Sequence, residues 1–117
     1  MEKDQQIYIG HILDAIDIIQ KYAKGLEFEE FQNNIPAQNV AVRQLEIIGE
    51  ASKRLPQEFK ALIKEIPWVE VSAMRNKIAH DYFEVDLLKV WKTVEQDVPV
   101  LKEVLERHFE AEDKNQA

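Results

Sequence analysis

At 117 residues, with a formal net charge of −7 and no cysteine, the chain makes one domain whose core must come from a few long elements. The missing cysteines exclude disulfides and thiolate metal sites, and the acidic balance excludes a generally basic nucleic-acid-binding surface, so any polyanion site is local. No apolar run approaches the roughly 20 residues that cross a bilayer, and the charged start from Met1 to Gln6 is no secretory signal core, so a soluble, cytoplasmic protein without membrane contact is expected.

Ile9, Ile12, Leu13, Ile16, Ile19 and Ala23 recur three and four apart, which predicts a first helix with one buried face, stopped by Gly25. The acidic, aromatic stretch Leu26 to Phe31 leads to Asn33, Asn34 and Pro36, residue types that suit a turn and a helix start. A second helix then runs to about Leu55. Its stripe of Ala41, Leu45, Ile48, Ser52 and Leu55 is widened by Val40, Ile47 and Ala51, which predicts a central helix with neighbours on more than one side. Gly49 within it allows a close helix approach or is simply a tolerated glycine.

Pro56 ends that helix, Phe59, Leu62 and Ile63 suggest a short helical piece, and Pro67 suits the first turn of a fourth element with the apolar stripe Val71, Met74 and Ile78. Asp86 is placed to cap a last long helix carrying Leu87, Trp91, Val94, Val98, Leu101 and Leu105. Pro99 falls inside it and predicts a kink or break near Gln96 to Val98. The domain is expected to span residues 1–111, with a frayed tail over 112–117 that has no apolar anchor. No segment alternates with period two, so the expected fold is all-α, an up-and-down bundle of four to five helices.

Several chemistries fall away on residue types. The three glycines, at 10, 25 and 49, make no phosphate-cradling loop, which argues against P-loop and dinucleotide folds. His11 and Asp14 lie one turn apart, and Glu46 and Glu50 share a helical face, but a matching Glu-x-x-His pair is missing, so surface or capping roles outweigh metal ligation. Ser52 and Ser72 have no adjacent His and are read as helix residues rather than nucleophiles. His108 is expected in the last turn of the last helix, where the helix dipole favours a cation. Local positive charge comes from Lys53, Arg54, Lys60 and Lys64 and from Arg75, Lys77, Lys89 and Lys92; the plain reading is solvated faces balanced by neighbouring Glu.

The densest chemistry lies from Arg75 to Tyr82, which joins a fixed cation, a His that moves protons near neutral pH and a phenol, a combination suited to phosphate esters. At about 100° per residue, Arg75 and Tyr82 share one helical face, Asn76 and His80 share another, and Arg75 and His80 stand roughly 140° apart. One straight helix therefore does not aim them at one atom. Either the Arg side chain bends round, the helix loosens near His80, or a second copy completes the site across a symmetric interface. The plain alternative is an Arg in a surface ion pair, a His near a helix C-terminus and a loop Tyr.

The run Met74 to Phe83 resembles the Arg, polar residue, three variable positions, His, any residue, Tyr signature of the HEPN superfamily, in its HepT-like toxin branch. Arg43 to Pro56 is similar to that branch's second helix, Ile66-Pro67-Trp68 to the approach to its motif helix, and Val85 to Trp91 to its last helix, so the likeness covers about residues 7–105. The resemblance implies a HEPN-type bundle and a metal-independent endoribonuclease toxin of a type VII toxin-antitoxin system, acting on RNA without a cofactor as a homodimer with two motifs facing one cleft. It also implies a partner, a minimal nucleotidyltransferase antitoxin of the MntA type. Arg75 and His80 would then be the catalytic pair, Asn76 the assisting polar residue and Tyr82 the hydroxyl that receives AMP.

Two readings compete with that one. In the first, the chain is a noncatalytic helical HEPN module that binds a nucleotidyltransferase partner or nucleotides. In the second, it is a structural dimerisation domain in which the motif is incidental.

Overall fold

The computed structural model describes residues 3–73 and 86–116. In chain order these form α1 (Lys3–Ala23), α2 (Phe28–Gln32), α3 (Ile35–Arg54), α4 (Gln57–Leu62), a helical stretch over residues 68–73 taken as α5, α6 (Leu87–Lys92) and α7 (Val98–Gln116). A π-helical turn, Thr93–Asp97, joins α6 to α7. Among the described residues there is no strand, and the chain forms the all-α bundle that its periodicity predicts.

The helices start and stop for local reasons. Gly25, at φ 79°, takes the left-handed conformation that side chains with a Cβ avoid, and α1 ends two residues before it. The Asn34 side chain caps α3 by accepting from the Ala37 amide at 3.0 Å, while Pro36 sits in the first turn, where its missing N–H costs nothing. Gln38 reaches back from α3 to donate to the carbonyls of Phe31 and Gln32 at 3.0 and 2.9 Å, closing the end of α2.

α3 is the centre of the bundle. Ala41, Leu45, Ile48, Ser52 and Leu55 are all buried, as are Ala37, Val42, Gly49 and Ala51, so the helix has covered flanks on more than one side. Its main neighbour is α1, which buries Ile9, Ile12, Ala15, Ile16 and Ile19. Trp91, Val94, Val98, Leu101 and Leu105 complete the core from the last helices. Each fully buried Ile or Leu stabilises the fold by about 1.5–3 kcal/mol relative to exposure.

Three details depart from expectation. The stretch from Leu26 to Phe31 includes the start of a helix, α2, whose Phe31 is buried and packs on Trp91 with ring centroids 5.0 Å apart. Pro99 produces no break, and the disturbance expected near Gln96 to Val98 takes the form of a π turn. The backbone widens by one π turn immediately before it and continues into α7, so the proline's missing N–H and its ring are accommodated within a continuous helical path. His108 is not in the last turn, because α7 runs on through Gln116 and gives residues 112–116 helical backbone. His108 Nε2 instead lies 3.9 Å from Glu65, beside the Arg107–Glu65 pair at 3.7 Å, where α7 passes the turn before α5.

Candidate functional site

Arg75, Asn76, His80 and Tyr82 lie outside the described residues, together with Met74, Lys77 and Ile78. What the structure gives is how the chain is held on either side of them. Upstream, the Pro67 carbonyl accepts the first helical bond of α5 from Val71 at 3.0 Å. The Trp68 indole N–H donates to the carbonyls of both Lys60 and Ile63 at 3.1 Å, and its ring lies 6.5 Å from Phe59, so α5 is pinned to the end of α4. Val71 is buried and lines the same cavity as Ile48 of α3. Downstream, Asp86 accepts from the amides of Leu88 and Lys89 at 3.0 and 3.3 Å, the capping role its position predicts.

Two clefts flank α3 on adjacent sides, and their chemistry differs. The first, of about 410 Å³, is walled by apolar side chains including Ile48, Ile66, Val71 and Leu101, and among the described residues its lining carries the carboxylates Glu65, Glu70 and Asp97 and no Lys or Arg. The second, of about 480 Å³, lies between α1 and α3 and is lined by Tyr8, His11, Arg43, Glu46, Ile47, Glu50, Ala51 and Arg54. It joins two guanidinium groups, a His and a phenol ring, and is the better polar site among the described residues.

The second cleft is organised by short-range pairs on α3. Arg54 donates to Glu50 from Nε and Nη2, each at 3.3 Å, and Arg43 donates to Glu46 at 3.5 Å. The Tyr8 oxygen, and after it the Glu50 carboxylate, raise the pKa of the Arg54 guanidinium above its ordinary value, so it keeps its charge at any working pH. Tyr8 and His11 meet edge to face, with centroids 6.4 Å apart and planes at 77°.

The structure thus brings together His11, the Glu46 and Glu50 pair and Arg54, which the sequence offers separately, and adds Arg43 to them. Asp14 does not line the cleft, and among the described residues no three His, Asp or Glu side chains are placed to hold a metal ion. Lys60 has a structural partner, donating from Nζ to the Ser52 carbonyl at 3.3 Å, whereas Lys53, Lys64, Lys89 and Lys92 are exposed. Tyr8 is the residue that sequence reasoning missed. Its signal was its place three residues before His11, on the flank of the apolar stripe of α1.

A small helical bundle with these blocks in this order defines the class, a HEPN-type domain. The chain belongs to the ribonuclease HepT-like family, whose model matches residues 12–108 and so includes the whole of Arg75 to Tyr82. It is 43% identical over 107 residues to a Thermococcus cleftensis protein named "Probable ribonuclease HepT", covering 92% of this chain and 97% of that one. Two Methanocaldococcus jannaschii proteins are also similar. One, named "Putative RNase", is 37% identical with 97% of each chain covered; the other, named "Gamma-glutamylcyclotransferase and putative RNase", is 42% identical over 98% of this chain but only 52% of its own length. No solved structure matches the chain. Family membership carries the enzyme class, ribonuclease. No helix among the described residues is long and apolar enough to cross a membrane.

Proposed function

We propose that the chain is a metal-independent RNA endonuclease and the toxin of a toxin-antitoxin pair, with Arg75 and His80 as its catalytic pair and Asn76 assisting. The observation that carries this reading is the family match, whose span of residues 12–108 includes the motif segment. In metal-free cleavage the ribose 2′-OH attacks the adjacent phosphorus, the new P–O2′ bond forms, and the P–O5′ bond breaks. His80 moves a proton in that exchange, and Arg75 holds the charge that builds on the phosphoryl oxygens. The products are a 2′,3′-cyclic phosphate and a 5′-hydroxyl.

Regulation follows from the same segment. A minimal nucleotidyltransferase partner transfers AMP from ATP to the Tyr82 oxygen, which loses its proton as pyrophosphate leaves. The added phosphodiester places a bulky anion two residues from His80 and repels the RNA backbone. A homodimer is the working unit, as the family resemblance implies: on an ideal straight helix Arg75 and His80 would stand roughly 140° apart, and a second copy across a symmetric interface supplies the missing side of the site.

The test is cleavage of single-stranded RNA by the purified protein in EDTA, beside the His80→Ala variant. Activity in the parent and its loss in the variant is the expected result. Equal activity in both sinks the assignment, and RNA or nucleotidyltransferase binding without cleavage makes the chain a noncatalytic module instead.

A further inference from the structure

We propose that the cleft between α1 and α3 is a subsite for one unstacked nucleotide of single-stranded RNA, with its base against Tyr8 and Glu46 and its flanking phosphates on Arg43 and Arg54. This rests on the ribonuclease reading and names where that enzyme grips its substrate beyond the scissile bond.

The layering of the cleft supports it. Arg43 and Arg54 stand at the rim, their side chains 69% and 59% exposed, whereas the Glu46 side chain is recessed, at 25%. Phosphates stay at a rim where the exposed edges of carboxylate-paired guanidinium groups face solvent, and are excluded from an interior that carries carboxylate. A nucleobase suits that interior, because its ring packs against a phenol face and its amino and imino hydrogens are donors to a carboxylate. Glu46 engages Arg43 through only one oxygen, at the long distance of 3.5 Å. A partly withdrawn carboxylate held this weakly gains from a bound N–H donor.

Position supports it as well. Arg43 and Arg54 are eleven residues apart on α3, within about 20° of one face and roughly 16 Å apart along the axis, but their heads lean towards each other onto Glu46 and Glu50, which lie only about 6 Å apart along that axis. A base between two rim cations is the order in which a single strand presents its groups. The volume, about 480 Å³, lies within the range of small-ligand sites. Ile48, next to Ile47 on the helix, shares its cavity with Val71 of α5, so the cleft and the approach to the motif lie on neighbouring sides of α3.

The experiment uses the full chain in EDTA. Binding of a fluorescently labelled single-stranded RNA decamer is read by anisotropy and cleavage by steady-state kinetics, for the parent, Tyr8→Ala, Tyr8→Phe and Glu46→Gln, each checked by urea unfolding. Loss of one stacked base predicts about tenfold weaker binding and a tenfold higher KM for Tyr8→Ala, with kcat within about twofold. Tyr8→Phe, which keeps the ring, stays within about threefold of the parent, and Glu46→Gln, which keeps its volume, weakens binding about fivefold.

Parent-like binding by folded Tyr8→Ala and Glu46→Gln overturns the subsite while leaving cleavage, if present, intact. Binding that depends on Tyr8 without any cleavage keeps the subsite and removes the nuclease reading. Displacement of the decamer by submillimolar 5′-AMP assigns the cleft to a free nucleotide and overturns the proposal.

Discussion

The indole N–H of Trp68 is shared by two carbonyls of the α4 end, and the one on Ile63, at 3.1 Å, bridges the turn that leads into α5. Ile63 itself is buried, so the bond joins the start of the motif-bearing segment to a fixed point of the core. Trp68→Phe keeps most of the ring packing on Phe59 and removes only the donor. The expected loss is about 1–2 kcal/mol in urea unfolding, with a larger relative loss of RNA cleavage than of stability at moderate temperature. Unchanged unfolding in Trp68→Phe means the shared bond contributes nothing.

The downstream anchor is tested at Asp86. Its carboxylate satisfies two amides that would otherwise lack partners at the start of α6. Asp86→Ala should cost about 0.5–2 kcal/mol, and Asp86→Asn or Asp86→Ser should restore most of it. Failure of both polar replacements to rescue would show that charge, not capping, is the source of the effect.

Ser52 is fully buried on α3, and its hydroxyl has no hydrogen-bond partner among the described residues. A buried donor without a partner costs about 1–3 kcal/mol, while the methyl of Ala fits the same space. Ser52→Ala is therefore expected to raise the midpoint of chemical unfolding, and a lower midpoint would reveal a role for the hydroxyl.

Pro99 lies on an exposed surface at the first turn of α7, directly after the π turn. Pro99→Ala restores an N–H and removes the ring, so it should stabilise the chain by about 1–3 kcal/mol. Amide exchange from Thr93 to Asp97 should slow in parallel. A destabilised Pro99→Ala would mean that packing, rather than the proline, imposes the π turn.

How much of this was readable in the chain depends on range. The α3 stripe from Ala41 to Leu55 was legible because a long helix repeats its buried positions often enough to set the period. α2 was not, since five residues around Phe28 and Phe31 give too few repeats, and what fixes them is Trp91 sixty residues away. Pro99 marked where the last helix must be disturbed, but that the helix continues past it goes with the burial of Val94 and Val98 on both sides, a long-range fact. The pairing of Tyr8 with Arg54 needs α1 laid on α3, a long-range fact that no local pattern carries. Arg75, Asn76, His80 and Tyr82 stood out by residue type and spacing alone, and the roles proposed for them rest on the family's motif.

The arginine pairs of α3 have one more effect. Arg43 and Arg54 already hold anions that are covalently part of the same helix, so an arriving phosphate exchanges with a tethered carboxylate rather than with the ion atmosphere. Few small ions are set free at the protein surface by that exchange. The chain's grip on RNA should accordingly depend on salt mainly through the counterions shed by the nucleic acid and owe little to condensed anions of its own. Net acidity then acts as a filter: a strand that seats no base in the cleft gains nothing from the acidic surface around it.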